Sequence, residues 1–180
     1  IEPLRAHGFQ VEIIAWNAAV DWNQYDIAIL RTTWDYHQRP QEFLAALTKI
    51  TQSKCRLYNP LDIVAWNLEK TYLRDLSTRG VKIIPTLWES DPTLAQVNAW
   101  FAHFACEKIM LKPVIGANAF LTFPLTKTEF SLKRSEIIKG LAARPYMVQP
   151  FLSSIFDPGE FSFFFFAGTF SHAAQKTPKS

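Results

Sequence analysis

Apolar residues follow two alternating rhythms along this chain. Short runs of the strand kind occupy 11–16, 27–31 and 56–58. Between the second and third, Phe43, Leu44, Leu47 and Ile50 recur at helical spacing behind Pro40, a residue suited to a first helical turn. This spacing predicts a helix over 40–51. A further helix over 1–7 closes at Gly8. Strands alternating with helices imply a parallel α/β sheet, and this first lobe ends near Asn59-Pro60. Such a unit normally opens with a strand ahead of its first helix. None precedes 1–7, so the chain reads as cut at its beginning, and it stops after 176–180 without a further element.

The second half has a different grain. A short helix over 60–66 leads to one over 69–78, with Tyr72, Leu73 and Leu76 on one face and Gly80 as its stop. A strand over 81–84 ends at Pro85. Asp91 and Pro92 predict a helix cap and a first turn, the helix running to about Phe104. A strand over 108–114, a helix over 131–142 and a strand over 146–150 follow. The segments 160–167 and 169–176 then read as a β-hairpin turning at Gly168. The run Phe163-Phe164-Phe165-Phe166 puts aromatics on both faces, which predicts a strand covered on both sides.

Composition narrows the class. At 180 residues, 48% apolar and 19% charged, the chain is globular. It is long enough to bury roughly 70% of its unfolded surface as one core or two small lobes. The net charge of +3 is spread without a Lys/Arg-rich run, which argues against a nucleic-acid partner. The longest apolar run, 163–167, is far too short to cross a bilayer. Cys55 and Cys106 lie far apart with no CxxC context and read as reduced thiols. The four histidines lack metal-ligand spacing, so no metal site is assigned. Neither a Gly-x-Ser-x-Gly nor a Walker-type loop is present.

Lys112 ends the apolar strand Ile109-Met110-Leu111, and Pro113 stops ladder bonding beyond it. A lysine at the end of a buried strand is costly unless it meets an anion or turns to solvent. Lys70 opens a helical region just after Asn67. Gly116-Ala117-Asn118-Ala119 follows Lys112 as a loop of small residues, suited either to close approach of a phosphate or to a plain turn. Gln149-Pro150-Phe151-Leu152 leaves a strand at a proline. Its flanking C=O and N–H groups can face outward as one acceptor and one donor for an adenine ring, or simply end a strand.

Arg31-Thr32-Thr33-Trp34-Asp35-Tyr36 closes the second strand, at the carboxyl end where open α/β sheets bind ligands. Arg31 offers a fork for a carboxylate, and Asp35 a partner for an ammonium. Pairing about Gly168 brings Glu160 near Lys176, either as a cross-strand ion pair or as two groups flanking a nucleotide.

In this order the motifs resemble the ATP-grasp superfamily. The likeness rests on 31–36, Asn59-Pro60, Trp66-Asn67-Leu68-Glu69-Lys70, Leu111-Lys112-Pro113, Met147-Val148-Gln149-Pro150-Phe151, Gly159-Glu160-Phe161-Ser162 and Ser171-His172-Ala173. It is strongest to the glutathione synthetase and ribosomal-protein glutamate ligase branch, and within that branch to the cycloserine-forming ligase group.

The resemblance implies an α/β fold, α+β in its second lobe. A partial parallel pre-ATP-grasp lobe (1–62) would be followed by an incomplete ATP-grasp domain (63–180), with a lid over about 82–150 and the start of a C-terminal subdomain over about 151–180. It implies an ADP-forming, cytoplasmic carboxylate–amine ligase using ATP and Mg²⁺ on an amino-acid or peptide-like substrate, and it allows a homo-oligomer. Lys70 and Lys112 would hold phosphates. Gln149, Pro150, Phe151 and Leu152 would hold adenine. Glu160 would lie near the ribose or a metal-bound phosphate, Lys176 would face the phosphates or substrate, and Arg31 would meet the acceptor.

The chain departs from the family in two ways. The loop 116–122 is apolar where relatives are glycine-rich or polar, and the magnesium ligands are expected beyond Ser180. The 180 residues alone are therefore expected to be inactive. Two rival readings remain. One is a non-catalytic nucleotide-binding module with this fold. The other is a doubly wound binding domain, which requires a continuous parallel sheet through 108–150.

Overall fold

The computed structural model describes residues 1–90 and 92–177. After the short helix α1 (Glu2–Ala6), the first lobe pairs β1 (Ile27–Ile29) with β2 (Arg56–Tyr58) in parallel, and α2 (Pro40–Thr51) crosses between them. Phe43, Leu47 and Ile50 of α2 form a buried cluster with Cys55 and Leu68, and Ala28 and Leu57 of the strands pack against it. The helical spacing read from the sequence is the spacing that fills this core. The expected strand over 11–16 does not form. Ile13 is 84% exposed, and the chain there runs as a loop in which only Val11, Ile14 and Trp16 are half-buried.

α3 (Leu61–Leu68) and α4 (Tyr72–Thr78) connect the first lobe to a four-stranded sheet. Its order is β3 (Leu87–Glu89), β6 (Tyr146–Pro150), β4 (Ile109–Pro113), β5 (Phe123–Leu125). All its neighbours run antiparallel, which overturns the doubly wound alternative. Two features differ from expectation. The strand after Gly80 is β3 at 87–89 rather than 81–84, because Pro85 ends the earlier apolar run before it can pair. β5 went unread because it is three residues with an exposed proline at its centre.

α5 (Leu94–Phe104) and α6 (Lys127–Leu141) cover one face of this sheet. Val97, Trp100, Phe101, Phe130, Ile137 and Leu141 bury against Ile109, Leu111, Leu125, Tyr146 and Val148. Both helices begin with reciprocal capping boxes, Thr93 with Gln96 and Thr126 with Glu129. Asp91, the expected cap of α5, lies outside the described residues. The hydrogen bonds from Thr126 hold the Glu129 carboxyl below its ordinary range.

Beyond β6, β7 (Glu160–Phe166) and β8 (Thr169–Lys176) form the expected hairpin, with Glu160 opposite Lys176. The expected cover on both faces is not found among the described residues. Phe163, Phe165 and Phe166 are 60% or more exposed, and Phe164 is 40% exposed, because the two strands of this ribbon pack mainly on each other.

Chemical denaturation tests this core. Leu111→Ala, at a fully buried position of β4, is expected to lose about 2–5 kcal/mol. Thr126→Ala is expected to lose only about 1 kcal/mol.

Candidate active site

Side chains alternate across β4 and β6. Ile109, Leu111, Tyr146 and Val148 point to the helices, so Met110, Lys112, Met147 and Gln149 line the opposite face. Lys112 stands across from Met147, and Gln149 across from Met110. The turn between α3 and α4 is stitched onto the end of β4. The Lys70 backbone N–H donates to the Val114 carbonyl at 3.0 Å, and the Lys70 ammonium donates to the Gly116 carbonyl at 2.7 Å.

This arrangement brings the Lys70 and Lys112 charges within electrostatic reach of each other. Burial pushes the Lys70 ammonium below its usual range, and the neighbouring Lys112 charge pushes it further. Burial lowers Lys112 as well, while the Glu160 carboxylate acts in the opposite direction. Neither lysine forms an ion pair among the described residues. Glu160 is set by Gly159, whose φ of +108° and whose approach to the Lys176 carbonyl leave no room for a Cβ. Lys176 stands opposite Glu160 in register, yet the two form no ion pair. Glu160 therefore acts on Lys112 rather than being tied up across the hairpin.

The strand end at 149–152 is asymmetric. The Phe151 N–H donates to the Lys108 carbonyl at 3.0 Å, which turns its neighbours the other way. On that side β3 begins only at Leu87, opposite Val148, so no strand faces the Pro150 carbonyl or the Leu152 N–H. The Gln149 side chain is buried and donates to Thr86 Oγ1 at 2.9 Å. The sequence reading missed Thr86. It lies one residue before β3, where extending the β3–β6 register puts it opposite Gln149, and misplacing β3 hid that pairing.

On the first lobe, Arg31 is exposed just past β1, with no hydrogen bond or ion pair among the described residues. Its neighbours Leu30 and Thr33 line a cavity of about 340 Å³ with Tyr36, Asn59, Asn67 and Leu68. The Asn59 amide donates to the Leu30 carbonyl at 3.2 Å and so fixes the rim. Burial pushes the Tyr36 phenol up. Asp35 is less free than its sequence context suggested: it accepts from the Trp16 indole at 2.8 Å and lies 3.7 Å from Arg39.

The loop 116–122 is docked. Asn118, Ala119 and Leu121 have φ of 51°, 57° and 47°, the left-handed region. Ala119 and Leu121 each carry a cost of about 1–2 kcal/mol there. The contacts that offset this cost are apolar. Leu121 packs on Gly140 of α6, where any Cβ would come within 2.8 Å of it. The Phe120 ring lies 4.9 Å from the His37 ring.

Residues 1–59 match the family described as the N-terminal domain of D-cycloserine synthetase DcsG. The cycloserine biosynthesis protein DcsG of Streptomyces lavendulae is 29% identical over 181 residues, covering 98% of this chain and 60% of that protein. The crystal structure of D-cycloserine synthetase DcsG matches with a TM-score of 0.86 at 29% identity, over 98% of this chain and 61% of that one. A looser likeness, TM-score 0.46 at 19% identity over 71% of this chain and 44% of the neighbour, is to the ATP-grasp ligase PsnB. The chain thus shares the mixed α/β fold of the DcsG crystal structure over nearly its whole length. More particularly it is homologous to DcsG, and it spans about 60% of that relative's length.

The two lowered lysines give a pH test. Below its lowered folded pKa, Lys112 is held charged at a cost. Between that value and 10.5 the unfolded chain binds the proton more tightly, so stability rises with pH through this window. Lys112→Met is therefore expected to be more stable than the wild type near neutral pH without nucleotide. The gap should narrow as denaturation is repeated toward pH 10.5.

Proposed function

We propose that the protein carrying this chain is an ATP-dependent carboxylate–amine ligase, forming ADP, that acts on an amino-acid or peptide-like substrate. The observation that carries the reading is the fastening of Lys70 to the chain just past Lys112, at Val114 and Gly116, which sets two half-buried lysines within electrostatic reach. Two half-buried ammoniums raise each other's electrostatic cost, and no described carboxylate pairs with either. A polyphosphate relieves that cost through charge-assisted hydrogen bonds. The Pro150 carbonyl and the Leu152 N–H, beside it, match the donor and acceptor edge of adenine, with Phe151 and the Gln149–Thr86 bond holding the segment in place.

In this reading a substrate carboxylate oxygen attacks the γ-phosphorus and ADP leaves. An amine nitrogen then attacks the acyl carbon, phosphate leaves, and the amine loses its proton. Negative charge moves along the phosphoryl oxygens throughout, and Lys70 and Lys112 are positioned to follow it. Lys176, on the strand beside Glu160, would face the transferred group. Arg31, at the mouth of the first-lobe cavity, would hold the acceptor's carboxylate.

ATP fits these residues; a complete magnesium site does not. Among the described residues no group of three or more His, Cys, Asp or Glu side chains could hold a metal. The work assigned to this chain is therefore positioning and lysine electrostatics, with metal ligation left to other residues of the whole protein. No described helix is long and apolar enough to cross a membrane. A cytoplasmic enzyme using the ATP pool is consistent with that.

In the full-length protein, Lys112→Ala and Lys70→Ala are each expected to lower kcat/KM by about 10²–10³, the loss typical of one oxyanion donor. Calorimetry should show weaker ATP binding in both. Undiminished ATP affinity in Lys112→Ala would overturn the reading. Normal affinity in a wild type that never turns ATP over would favour a binding module instead.

A further inference from the structure

The apolar loop 116–122 is pinned at both ends of a continuous chain of contacts. At one end the Lys70 ammonium holds the Gly116 carbonyl at 2.7 Å. Within the loop, the Phe120 N–H donates to the Ala117 carbonyl at 2.9 Å, and Thr122 Oγ1 donates to the Phe120 carbonyl at 3.3 Å. Phe120 therefore moves with the loop backbone. At the other end its ring meets His37, which is only 6% exposed. His37 Nδ1 lies 3.0 Å from the Trp34 carbonyl, so it donates there, into the loop that carries Arg31. Beside it Tyr36 packs on Phe43 at 5.6 Å and lines the first-lobe cavity. Ile115, at the start of the loop, packs against the same first-lobe core.

Resting on the function proposed above, we infer that Phe120 and His37 are positioning residues that couple the phosphate pocket to the substrate loop 31–36. A phosphate arriving between Lys70 and Lys112 competes for the ammonium that holds Gly116. It thereby biases the loop, and the ring contact passes that bias to Trp34 and its neighbours. A glycine-rich loop in this place would close over phosphates without such a link. The apolar residues here serve as a lever rather than as a divergent lid. The lowered pKa of Lys70 agrees with a cation poised to change partners.

The test is amide hydrogen exchange on the full-length protein with and without the non-hydrolysable analogue AMPPNP. In the wild type, AMPPNP is expected to slow exchange across 33–38 by about fivefold or more. Phe120→Ala should still bind AMPPNP, yet show no change at 33–38. Phe120→Tyr, which keeps the ring, should restore it, and His37→Gln should lose it from the other side. A wild type that binds AMPPNP without any change at 33–38 overturns the coupling and leaves the ligase reading standing. Equal slowing in the wild type and Phe120→Ala also overturns it. A wild type that fails to bind AMPPNP overturns both.

Discussion

The structure turns on two like charges, both half-buried and within electrostatic reach of each other. Lys70 and Lys112 come from different elements, a helix–helix turn and a central strand, and their ammoniums repel each other. Desolvation makes that repulsion more costly, a cost that an anion between the two would relieve. Much else in the fold follows from keeping the pair in place. The Lys70 N–H is fastened to Val114, β4 is held between two antiparallel partners, and Glu160 is brought near enough to temper Lys112 without pairing with it.

The same constraint explains the strained loop. Non-glycine residues in left-handed conformations are disfavoured, and strain of this sort persists where surrounding contacts over-determine the backbone. Here Leu121 on Gly140, Phe120 on His37 and Ile115 in the first-lobe core supply those contacts. The loop's apolar composition, which set it apart from the glycine-rich pattern, is what lets it dock.

Much of this was legible in the sequence because periodicity reports burial. α2 and the β7–β8 hairpin stand at the positions that spacing and the Gly168 turn indicate, and β6 spans the apolar run before Pro150. The electrostatic proximity of Lys70 and Lys112 has no signature in spacing, since separation along a chain carries no distance between side chains. What was not legible depends on tertiary partners. Residues 11–16 have a strand's composition but no ladder to join, whereas β5 has a ladder and almost no strand signal. His37 and Phe120 gave no local sign at all, because each is defined by a contact 83 positions away in the chain. Thr86 was hidden by the misplaced strand beside it.

Gly140 sits inside α6, where glycine gives up roughly 1 kcal/mol of helix propensity relative to alanine. The helix keeps that notch because Leu121 fills it. A Cβ at residue 140 would meet the Leu121 terminal methyl at 2.8 Å, so a change at either position is felt at the other. A bulkier residue in the notch turns the Leu121 side chain aside, so the freedom of that one leucine to rotate sets how far the two positions can diverge.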